Sequence, residues 1–308
     1  MKTALVLGAT GGVGGEVARR LLAGGWTVRA LARNPGTIEG IEWIRGDAMQ
    51  AEDVLNAARG TSLIVHAVNP PGYRNWGTLV LPMIDNTIAA ARASGARVLL
   101  PGTVYNYGSG TPPQLSESTP QQPSTRKGAI RVEMERRLQA SGVRTLIVRA
   151  GDFFGPRPGN NWFSQGLIKP NDSAVTYPGA AGTGHAWAYL PDVADTMVRL
   201  VEQEEKLATF ETFHFRGHWD SDGTQMAEAI VRASGQPDMQ VKKLWWPLFW
   251  LLAPFVTTVR EMLEMRYLWR EPFALDNAKL VRLLGSETHT PLPVAVKAAL
   301  GGLAGQAA

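Results

Sequence analysis

The sequence contains no cysteine among its 308 residues. This absence excludes disulfides, thiol nucleophiles and cysteine-ligated zinc, and it fits a reducing cytoplasm. We therefore predict a cytoplasmic protein without a metal site. The chain also lacks an uninterrupted apolar run of the roughly 18 to 20 residues that a membrane span needs. Met1 leads almost directly into the first apolar segment, so we expect no signal peptide.

Neither sign of charge is present in large excess. Lysine and arginine number 31 against 27 aspartates and glutamates, which gives a formal net charge of +4. Because the basic residues are few in excess and scattered, we do not expect a nucleic-acid partner. With 44% hydrophobic residues, the chain can bury a substantial core. Its length suits one large α/β domain, alone or with a smaller lobe.

The most informative stretch lies at the start of the chain and reads TALVLGATGGVG. Residues 4–7 form a short apolar run typical of a buried parallel strand. Gly8, Gly11 and Gly14 follow with the spacing G-x-x-G-x-x-G, and residues 15–22 have the apolar periodicity of a helix. Glycines in such a strand-to-helix turn let the backbone approach a dinucleotide pyrophosphate. We therefore predict nucleotide binding here, with a purely structural glycine turn as the alternative.

Alternating patterns along the chain predict an α/β fold with a Rossmann-type, doubly wound parallel sheet. The predicted strands are residues 4–7, 26–31, 41–45, 62–68, 97–100, 143–149 and 210–215. The predicted helices are residues 15–22, 51–59, 79–94, 127–140, 194–203 and 261–269. Residues 111–124 and 160–178 are expected to be loops. We assign 1–155 to the nucleotide-binding core and 156–308 to a smaller, mostly helical substrate lobe, of which about 185–215 returns to the core.

Two charged residues lie at positions that usually contact the adenosine half of a bound dinucleotide. Arg33 ends the second strand, where NAD sites usually place an acid, and a guanidinium there would pair with a 2′-phosphate. This favours NADP over NAD; the alternatives are a surface arginine or stacking on adenine. Asp47 follows the third strand, either contacting the adenine amino group or capping a turn. The other predicted cofactor contacts are Thr10, Gly12, Val13, Ala48, Ala67, Val68 and Asn69.

Several of these segments together resemble the extended and atypical short-chain dehydrogenase/reductases, and more narrowly the bacterial NAD-dependent epimerase/dehydratases. Residues 8–14 (GATGGVG) match that superfamily's nucleotide loop, and Gly46-Asp47 matches its adenine contact. Thr103-Val104-Tyr105 is similar to its Ser/Thr-x-x-Val-Tyr-Gly segment, with the glycine displaced to Gly108. Residues 189–194 (YLPDVA) are similar to its Tyr-Val-x-Asp-Val-Ala element. The resemblance implies the doubly wound fold and an NADP or NAD cofactor.

The resemblance covers roughly residues 1–235 and fails at the catalytic pair. The family's Tyr-x-x-x-Lys is usually followed by a glutamate four residues later. Counting back from Glu135 puts Arg131 at the lysine position and Lys127 at the tyrosine position. The usual phenolate acid/base therefore cannot operate here as it does in the family. Arg131 could still bind ribose or phosphate, but its guanidinium stays charged and donates protons poorly.

Lys127 is the first candidate for the missing proton donor. The spacing Lys-x-x-x-Arg-x-x-x-Glu is similar to that of the isoflavone-reductase-like, NmrA-like branch, in which a lysine serves as general acid/base. The alternative is a solvated basic cluster at a helix start. Tyr105 is a second candidate donor, and Thr103 is expected to hydrogen-bond a substrate carbonyl. The predicted substrate contacts are Asn69, Asp152, Phe153, Phe154 and Trp162.

Residues 244–256 (LWWPLFWLLAPFV) form the most unusual stretch of the chain. It is too short and too interrupted by proline to span a bilayer. Three interpretations are open: packing in the core of the lobe, lining an apolar substrate pocket, or contact with a membrane interface or a partner. A hydrophobic substrate would follow from the second interpretation, by analogy with the family.

Three functions remain in view at this point. The first is an NADP-preferring enzyme that moves hydride to or from a small carbonyl or alcohol. The second is a non-catalytic redox sensor of the NmrA type, which the loss of Tyr-x-x-x-Lys favours. The third is a sugar-nucleotide epimerase, for which Asn160, Asn161 and Lys169 are loose candidates. The short-chain family often dimerises through two helices per subunit, which here would be the helix at 79–94 and the one around Lys127.

Overall fold

Parallel strands build a central sheet in the computed structural model, which describes residues 2–70, 75–157, 159, 161–169, 172–236 and 238–307. Along the described chain the strands are β1 (Thr3–Leu7), β2 (Thr27–Ala32), β3 (Ile41–Arg45), β4 (Leu63–His66), β5 (Arg97–Thr103), β6 (Gln114–Leu115), β7 (Thr145–Ala150), β8 (Asp152–Phe154), β9 (Ala174–Tyr177), β10 (His185–Tyr189), β11 (Phe210–His214), β12 (His218–Asp220), β13 (Gln240–Lys243) and β14 (Ala274–Leu275). Seven of them form one sheet in the order β3-β2-β1-β4-β5-β7-β11. This order confirms the predicted doubly wound sheet, with its topological switch point between β1 and β4.

Helices cover both faces of this sheet. They are α1 (Gly12–Ala23), α2 (Ala51–Ala57), α3 (Trp76–Ser94), α4 (Arg126–Ser141), α5 (Leu190–Val201), α6 (Gln225–Ser234), α7 (Trp246–Leu252), α8 (Thr257–Glu264), α9 (Ala278–Leu284) and α10 (Leu292–Ala307). Successive strand residues point to opposite faces, so Leu5 and Leu7 join the cluster under α2, α3 and α4. Ala4 and Val6 join the cluster under α1 and α5. The sheet is therefore buried on both sides, as continuous apolar strands predict.

A smaller lobe stands above the carboxyl ends of the strands. Strands β8, β10 and β12 form a three-stranded sheet, and β13 pairs with β9. Aromatic side chains fill the core of this lobe, and they are Phe154, Trp162, Phe163, Tyr177, Trp187, Tyr189, Trp246 and Trp269. Helices α6 and α10 pack together around the same core. Because β8 follows β7 after a single residue, the lobe is held directly over the ligand edge of the sheet.

Most differences from the predicted elements are at their ends. The first helix begins at Gly12, and the helix expected at 194–203 begins at Leu190, with Pro191 in its first turn. Proline and glycine are acceptable there because the first amides of a helix have no intrahelical partner. The fourth strand ends at His66, and the fifth extends to Thr103.

Two segments differ in kind from the prediction. The stretch 160–178, expected to be a loop, contains a π-helical turn (Phe163–Leu167) and strand β9. The helix expected at 261–269 is wrong in extent, because α8 ends at Glu264 and a 3₁₀ turn (Arg266–Trp269) follows. Packing of aromatic side chains into the lobe core overrides local pattern in both places.

The tryptophan-rich stretch 244–256 divides between the core and the surface. Trp246 is buried and donates from Nε1 to the Pro178 carbonyl oxygen at 2.9 Å. Phe249 packs partly against the same lobe core. Trp245, Trp250 and neighbouring apolar side chains are instead exposed. The core-packing interpretation therefore holds for one side of α7 only.

Candidate functional site

The turn between β1 and α1 has a backbone geometry that requires glycine. Gly8 has a φ of +93°, and a Cβ there would lie 2.5 Å from the Ala67 carbonyl oxygen. A Cβ on Gly14 would lie 2.2 Å from the Gly8 carbonyl oxygen. Because these neighbours are backbone atoms, no side-chain rotation relieves either contact. The G-x-x-G-x-x-G spacing thus closes a tight strand-to-helix turn.

The amino end of α1 has the character of an anion site. No acidic residue lies in its first turn, and no side chain caps it. The Gly11 amide donates to the Gly8 carbonyl oxygen at 2.9 Å, which shapes the loop that carries Thr10, Gly12 and Val13. The positive end of the helix dipole therefore meets no carboxylate in that turn, and this arrangement suits a phosphate.

An arginine that the sequence interpretation missed lies beside this turn. Arg157 donates to both carboxylate oxygens of Glu16 on α1, at 2.7 and 2.9 Å. A Cβ on Gly159 would lie 3.2 Å from the Gly12 amide nitrogen, so the segment after β8 crosses the amino end of α1. The signal in the sequence was Gly155-Pro156, a turn directly after a strand at the ligand edge.

The loop after β2 borders the same glycine turn. Arg33 directly follows β2 and is exposed. A Cβ on Gly36 would lie 3.4 Å from the Thr10 methyl carbon, which places this loop against the nucleotide loop. Arg33 therefore stands at the edge where the ribose of a dinucleotide would lie.

Asp47 caps a turn in this structure. Its Oδ1 accepts from the Met49 amide at 3.0 Å, and its own amide donates to Asp53 Oδ2 at 2.8 Å. The next carbonyl, that of Ala48, accepts from Asn86 Nδ2 on α3 at 2.9 Å. These bonds hold the loop after β3 in place, and an adenine contact by Asp47 stays a prediction.

The loop after β4 packs against the glycine turn. The Ala67 amide donates to the Leu7 carbonyl oxygen at 2.9 Å, so the parallel pairing continues one residue past β4. Val68 contacts the core partly, and Asn69 is exposed. Residues 71–74 of the same loop lie outside the described residues. Ala67 to Asn69 thus lie at the switch point, where ligands bind in open α/β sheets.

Thr103 and Tyr105 lie where β5 meets α4. Thr103 Oγ1 accepts from the Tyr105 amide at 3.3 Å and caps a 3₁₀ turn (Val104–Asn106). A Cβ on Gly128 would lie 2.3 Å from the Tyr105 carbonyl oxygen, so α4 packs directly on this turn. The structure therefore brings Thr103, Tyr105 and the helix of Lys127 together, although Tyr105 itself is buried.

Lys127 is fully buried and lies between two glutamates of α8. Its Nζ forms an ion pair with Glu261 and donates to Glu264 Oε2 at 2.5 Å. Its amide donates to Glu264 Oε1 at 2.9 Å. Burial raises the pKa of Glu264, but the two bonds from Lys127 and its charge outweigh burial, and the pKa lies below its ordinary value. The Glu264 carboxylate is therefore charged at neutral pH.

Glu135 is the glutamate of the Lys-x-x-x-Arg-x-x-x-Glu spacing. Its carboxylate accepts hydrogen bonds that hold neighbouring segments together. It pairs with Arg149 on β7 in the sheet. It also accepts from Asn106 Nδ2 at 2.9 Å and from Gln121 Nε2 at 2.8 Å. Because these donors come from three separate segments, Glu135 ties α4 to the turn after β5 and to the sheet.

Arg131 lies toward β4. Its guanidinium stacks over the Trp76 ring at 5.2 Å. His66, at the end of β4, is buried and bonds through Nδ1 to Thr87 Oγ1 at 2.8 Å. Since the Thr87 hydroxyl donates to a carbonyl oxygen, Nδ1 of His66 is the donor in this bond. His66 is accordingly a core histidine.

Asp152 is paired with a histidine that the sequence interpretation did not select. Asp152 Oδ2 lies 2.8 Å from His185 Nε2, and His185 Nδ1 lies 3.2 Å from the Leu268 carbonyl oxygen. The His185 ring stacks on Trp269 with a centroid distance of 4.0 Å. Asp152 and His185 also line a cavity of about 10 Å³ with Val104. This volume is near the lower limit for one water, so this cavity holds no more than a water beside them.

The remaining predicted substrate residues differ in how deeply their side chains are buried. Phe153 is half-buried, whereas Phe154 and Trp162 lie in the lobe core. Among the loose sugar-nucleotide candidates, Asn161 Oδ1 accepts from the Ser164 amide at 3.0 Å. The Lys169 amide donates to Asp172 Oδ2. Asn160 lies outside the described residues.

Two buried histidines predict a pH dependence of stability. Burial lowers the pKa of His66 to about 3 with help from the charge of Arg131, and burial lowers that of His214 to about 3 with help from Arg149. An unfolded histidine titrates near pH 6.5, so below that pH the unfolded chain binds more protons. We expect each to remove about 1.4 kcal/mol of stability per pH unit between pH 6 and 4.

Urea unfolding at pH 8, 6 and 5 tests this dependence on wild type and His66→Leu. The variant should lose less stability on acidification than wild type, and above pH 7.5 neither histidine should contribute to the slope. Equal slopes for the two proteins would contradict the assignment of His66.

The family of the chain follows from a comparison of its sequence with family models. The model described as NAD(P)H-binding matches residues 8–204. The chain belongs to this NAD(P)H-binding family. The matched residues include the glycine turn, Arg33, Thr103 and Lys127. The prediction of a domain of the NAD(P)-binding type is therefore confirmed. No curated protein sequence matches the chain.

Solved structures of other proteins have the same fold as this chain. The Bordetella bronchiseptica enzyme WbmH, solved with NAD⁺, is 18% identical with a TM-score of 0.73 over 98% of both chains. A UDP-N-acetylglucosamine 4-epimerase from Bacillus cereus is 16% identical with a TM-score of 0.73, over 98% of this chain and 99% of that one. A UDP-Glc/GlcNAc 4-epimerase from Campylobacter jejuni is 14% identical with a TM-score of 0.74, over 98% and 99%. This chain thus shares their fold over 98% of its length.

None of the helices described for this NAD(P)H-binding protein combines the length and apolar character needed to cross a membrane. Within the described residues, no group of three or more histidines and carboxylates is arranged to hold a metal ion.

Proposed function

We propose that this protein is an NADP-preferring oxidoreductase that transfers hydride between the nicotinamide and a small carbonyl or alcohol carbon. The observation that carries the proposal is the glycine turn. A Cβ at Gly8 or Gly14 would clash with backbone atoms, so only glycine lets the chain form this cradle of backbone at the amino end of a helix with no acid in its first turn. This cradle fits a pyrophosphate. The bound cofactor would supply or accept the hydride.

The residues around the switch point would hold the dinucleotide. Gly8 to Gly14 would bind the pyrophosphate through backbone amides, and Arg33 would pair with the 2′-phosphate of NADP. Asp47, which caps the turn after β3, would contact the adenine, and Ala67 to Asn69, which follow β4, would border the nucleotide at the switch point. Arg157 adds a guanidinium beside α1.

Thr103 and Lys127 would act on the substrate oxygen. Thr103 Oγ1 accepts from the Tyr105 amide, so its hydroxyl hydrogen is available to donate to a carbonyl. Lys127 Nζ, which forms ion pairs with Glu261 and Glu264, would hold the proton that passes to or from that oxygen. Asp152 and Phe153 follow β7 and would contact the substrate beside them.

A redox sensor of the NmrA type is the second candidate, and the burial of Lys127 favours it. A lysine that is fully buried and paired with two carboxylates fastens α8 to α4 without needing a substrate. Such a sensor should bind the oxidised and reduced forms of the cofactor with different affinities. Equal affinities, together with turnover of a carbonyl, would favour the oxidoreductase instead.

A sugar-nucleotide epimerase is the third candidate and rests on the shared fold. Asn161 and Lys169 remain the loose candidates for a second diphosphate. Incubation with UDP-glucose or UDP-N-acetylglucosamine and NAD, followed by separation of the epimers, tests this function directly.

The preference for NADP gives the first prediction about the cofactor. Arg33→Ala should weaken NADPH binding about ten- to a hundredfold, because one charge-assisted contact contributes roughly 1.5 to 3 kcal/mol. NADH binding should change little, since NADH has no 2′-phosphate. Fluorescence titration of both nucleotides on wild type and variant measures the two affinities.

Arg136→Ala is the matched control for this titration. Arg136 is an exposed arginine on α4 that pairs with Glu133, so its loss removes one positive charge away from the nucleotide loop. It should leave both affinities unchanged. If Arg33→Ala weakens NADPH and NADH equally, Arg33 does not read the 2′-phosphate and the preference for NADP loses its basis.

We also propose that two copies pair through α3 and α4. These helices pack side by side on one face of the sheet, and Arg137 on α4 pairs with Asp85 on α3. Light scattering coupled to size exclusion would show a mass of two chains if this pairing forms, and the mass of one chain would contradict it.

A further inference from the structure

Helix α7 is fixed to the lobe along one side only. Trp246 is its anchor: the ring contacts Trp162 at a centroid distance of 6.3 Å, and the Arg266 guanidinium stacks over it at 5.2 Å. Phe249 packs beside Trp246 at 5.4 Å. These contacts set the rotation of the helix, so its opposite side faces away from the lobe core.

Many other apolar side chains between residues 245 and 256 are exposed. Trp245 is 67% exposed, Trp250 60%, Leu251 69% and Phe255 84%. We call the full set the α7 apolar face, and it consists of Trp245, Leu248, Trp250, Leu251, Leu252, Phe255 and Val256. Exposed aromatic and leucine side chains at such density are uncommon on a monomer surface and mark an interaction site.

The charged residues within the sequence segment that carries the α7 apolar face are all positive. No aspartate or glutamate occurs from residue 239 to residue 260, whereas Lys242, Lys243 and Arg260 do. Every residue of β13, which carries both lysines, is exposed. The Arg260 side chain is 61% exposed and pairs with the buried Glu261 carboxylate at 3.8 Å. Exposed tryptophan, leucine and phenylalanine beside lysine and arginine form the composition of a segment that lies in a membrane interface.

We propose that the α7 apolar face inserts into the interface of an anionic lipid bilayer and holds the protein on the membrane surface. The tryptophans would lie at the headgroup level, where their amphipathic rings are favoured, and Leu251 and Phe255 would reach the acyl chains. Lys242 and Lys243 would contact anionic headgroups. The segment lies on the bilayer without crossing it, since α7 has only 7 residues.

The charges favour this occupant over a second copy of the chain. A two-fold dimer brings the same patch of both subunits together. Lys242 and Lys243 of one copy would then lie in the same contact region as the two lysines of the other, with no acid from residue 239 to residue 260 to compensate. An anionic bilayer supplies the missing negative charge and the apolar surface together.

Flotation with lipid vesicles tests the proposal on the full chain. Wild type should float with vesicles of phosphatidylglycerol and phosphatidylcholine at low salt, and at least tenfold less with phosphatidylcholine alone. The triple variant Trp250→Ser, Leu251→Ser, Phe255→Ser should bind the anionic vesicles at least tenfold more weakly, because it removes exposed apolar area without touching the core. Lys242→Gln with Lys243→Gln should reduce the preference for anionic lipid.

Val294→Ser is the matched control, because Val294 is another exposed apolar residue but lies on α10. It should float like wild type, and circular dichroism should show that all variants fold. Wild type remaining unbound to both kinds of vesicle would overturn the proposal. So would a wild-type dimer in solution that the triple variant converts to a monomer, since the α7 apolar face would then join two copies.

Discussion

Gly14→Ala should abolish detectable nicotinamide nucleotide binding, with at least a hundredfold loss of affinity, or about 2.7 kcal/mol. The new Cβ would lie 2.2 Å from the Gly8 carbonyl oxygen and 2.7 Å from its carbonyl carbon. Both are backbone atoms, so α1 must move away from β1. Its free amides would then leave the position from which they reach a pyrophosphate. Fluorescence titration with NADPH measures the loss.

Alanine substitutions at two other glycines serve as comparisons for Gly14→Ala. A Cβ on Gly11 would lie 3.3 Å from the same oxygen, so Gly11→Ala should have an intermediate effect. Gly77, in α3, has nothing within 4 Å of its Cβ position, so Gly77→Ala should bind like wild type. Circular dichroism and thermal unfolding separate lost binding from lost folding. A folded Gly14→Ala protein with wild-type affinity would show that the nucleotide does not bind at this turn.

Lys127→Met should have the second large effect, on stability and on catalysis. The side chain is fully buried, and its loss removes the cation that contacts Glu264. The same loss leaves Glu261 with the more distant Arg126 and Arg260. Breaking a buried ion pair from one side costs about 3 to 5 kcal/mol. If Lys127 holds the transferred proton, turnover should fall by about 10² to 10⁴ in the folded variant. Urea unfolding and steady-state kinetics measure the two effects separately.

Neighbouring variants distinguish the structural from the catalytic role of Lys127. Arg126→Ala removes an adjacent cation that is 63% exposed and lies 3.6 Å from Glu261, so it should change stability and turnover little. Glu264→Gln keeps the lysine but removes one negative charge beside it, which should shift the pH profile of turnover while leaving nucleotide affinity unchanged. Stability of Lys127→Met equal to wild type would contradict the ion-pair assignment. Lost stability in a protein without turnover would favour the redox sensor.

The central sheet could be predicted because its signals are local. Apolar runs of four to seven residues, separated by helical periodicity, can only be buried as parallel strands covered on both faces. The ends of elements were less certain, because proline and glycine are accepted in the first turn of a helix. Gly12 and Leu190 begin their helices for this reason, ahead of the predicted positions.

The smaller lobe was harder to predict because its aromatic residues are compatible with several environments. Trp162 and Phe154 were predicted to contact substrate, and their role there stays a prediction, but both side chains lie in the lobe core. Trp245 and Trp246 are adjacent in sequence, yet the first is exposed and the second buried. Composition cannot separate them, since only the packing partners of α7 decide which side of the helix faces inward.

The sequence by itself determined the position and tight geometry of the glycine turn between β1 and α1. The spacing of Gly8, Gly11 and Gly14 between a strand and a helix requires close backbone contact, and that requirement is local. Only the tertiary structure decided the surroundings of Lys127. Its partner Glu264 lies 137 residues away in the chain. Nothing near position 127 encodes that pairing, because it arises when the lobe packs over the carboxyl ends of the strands and excludes water from the charges it brings together.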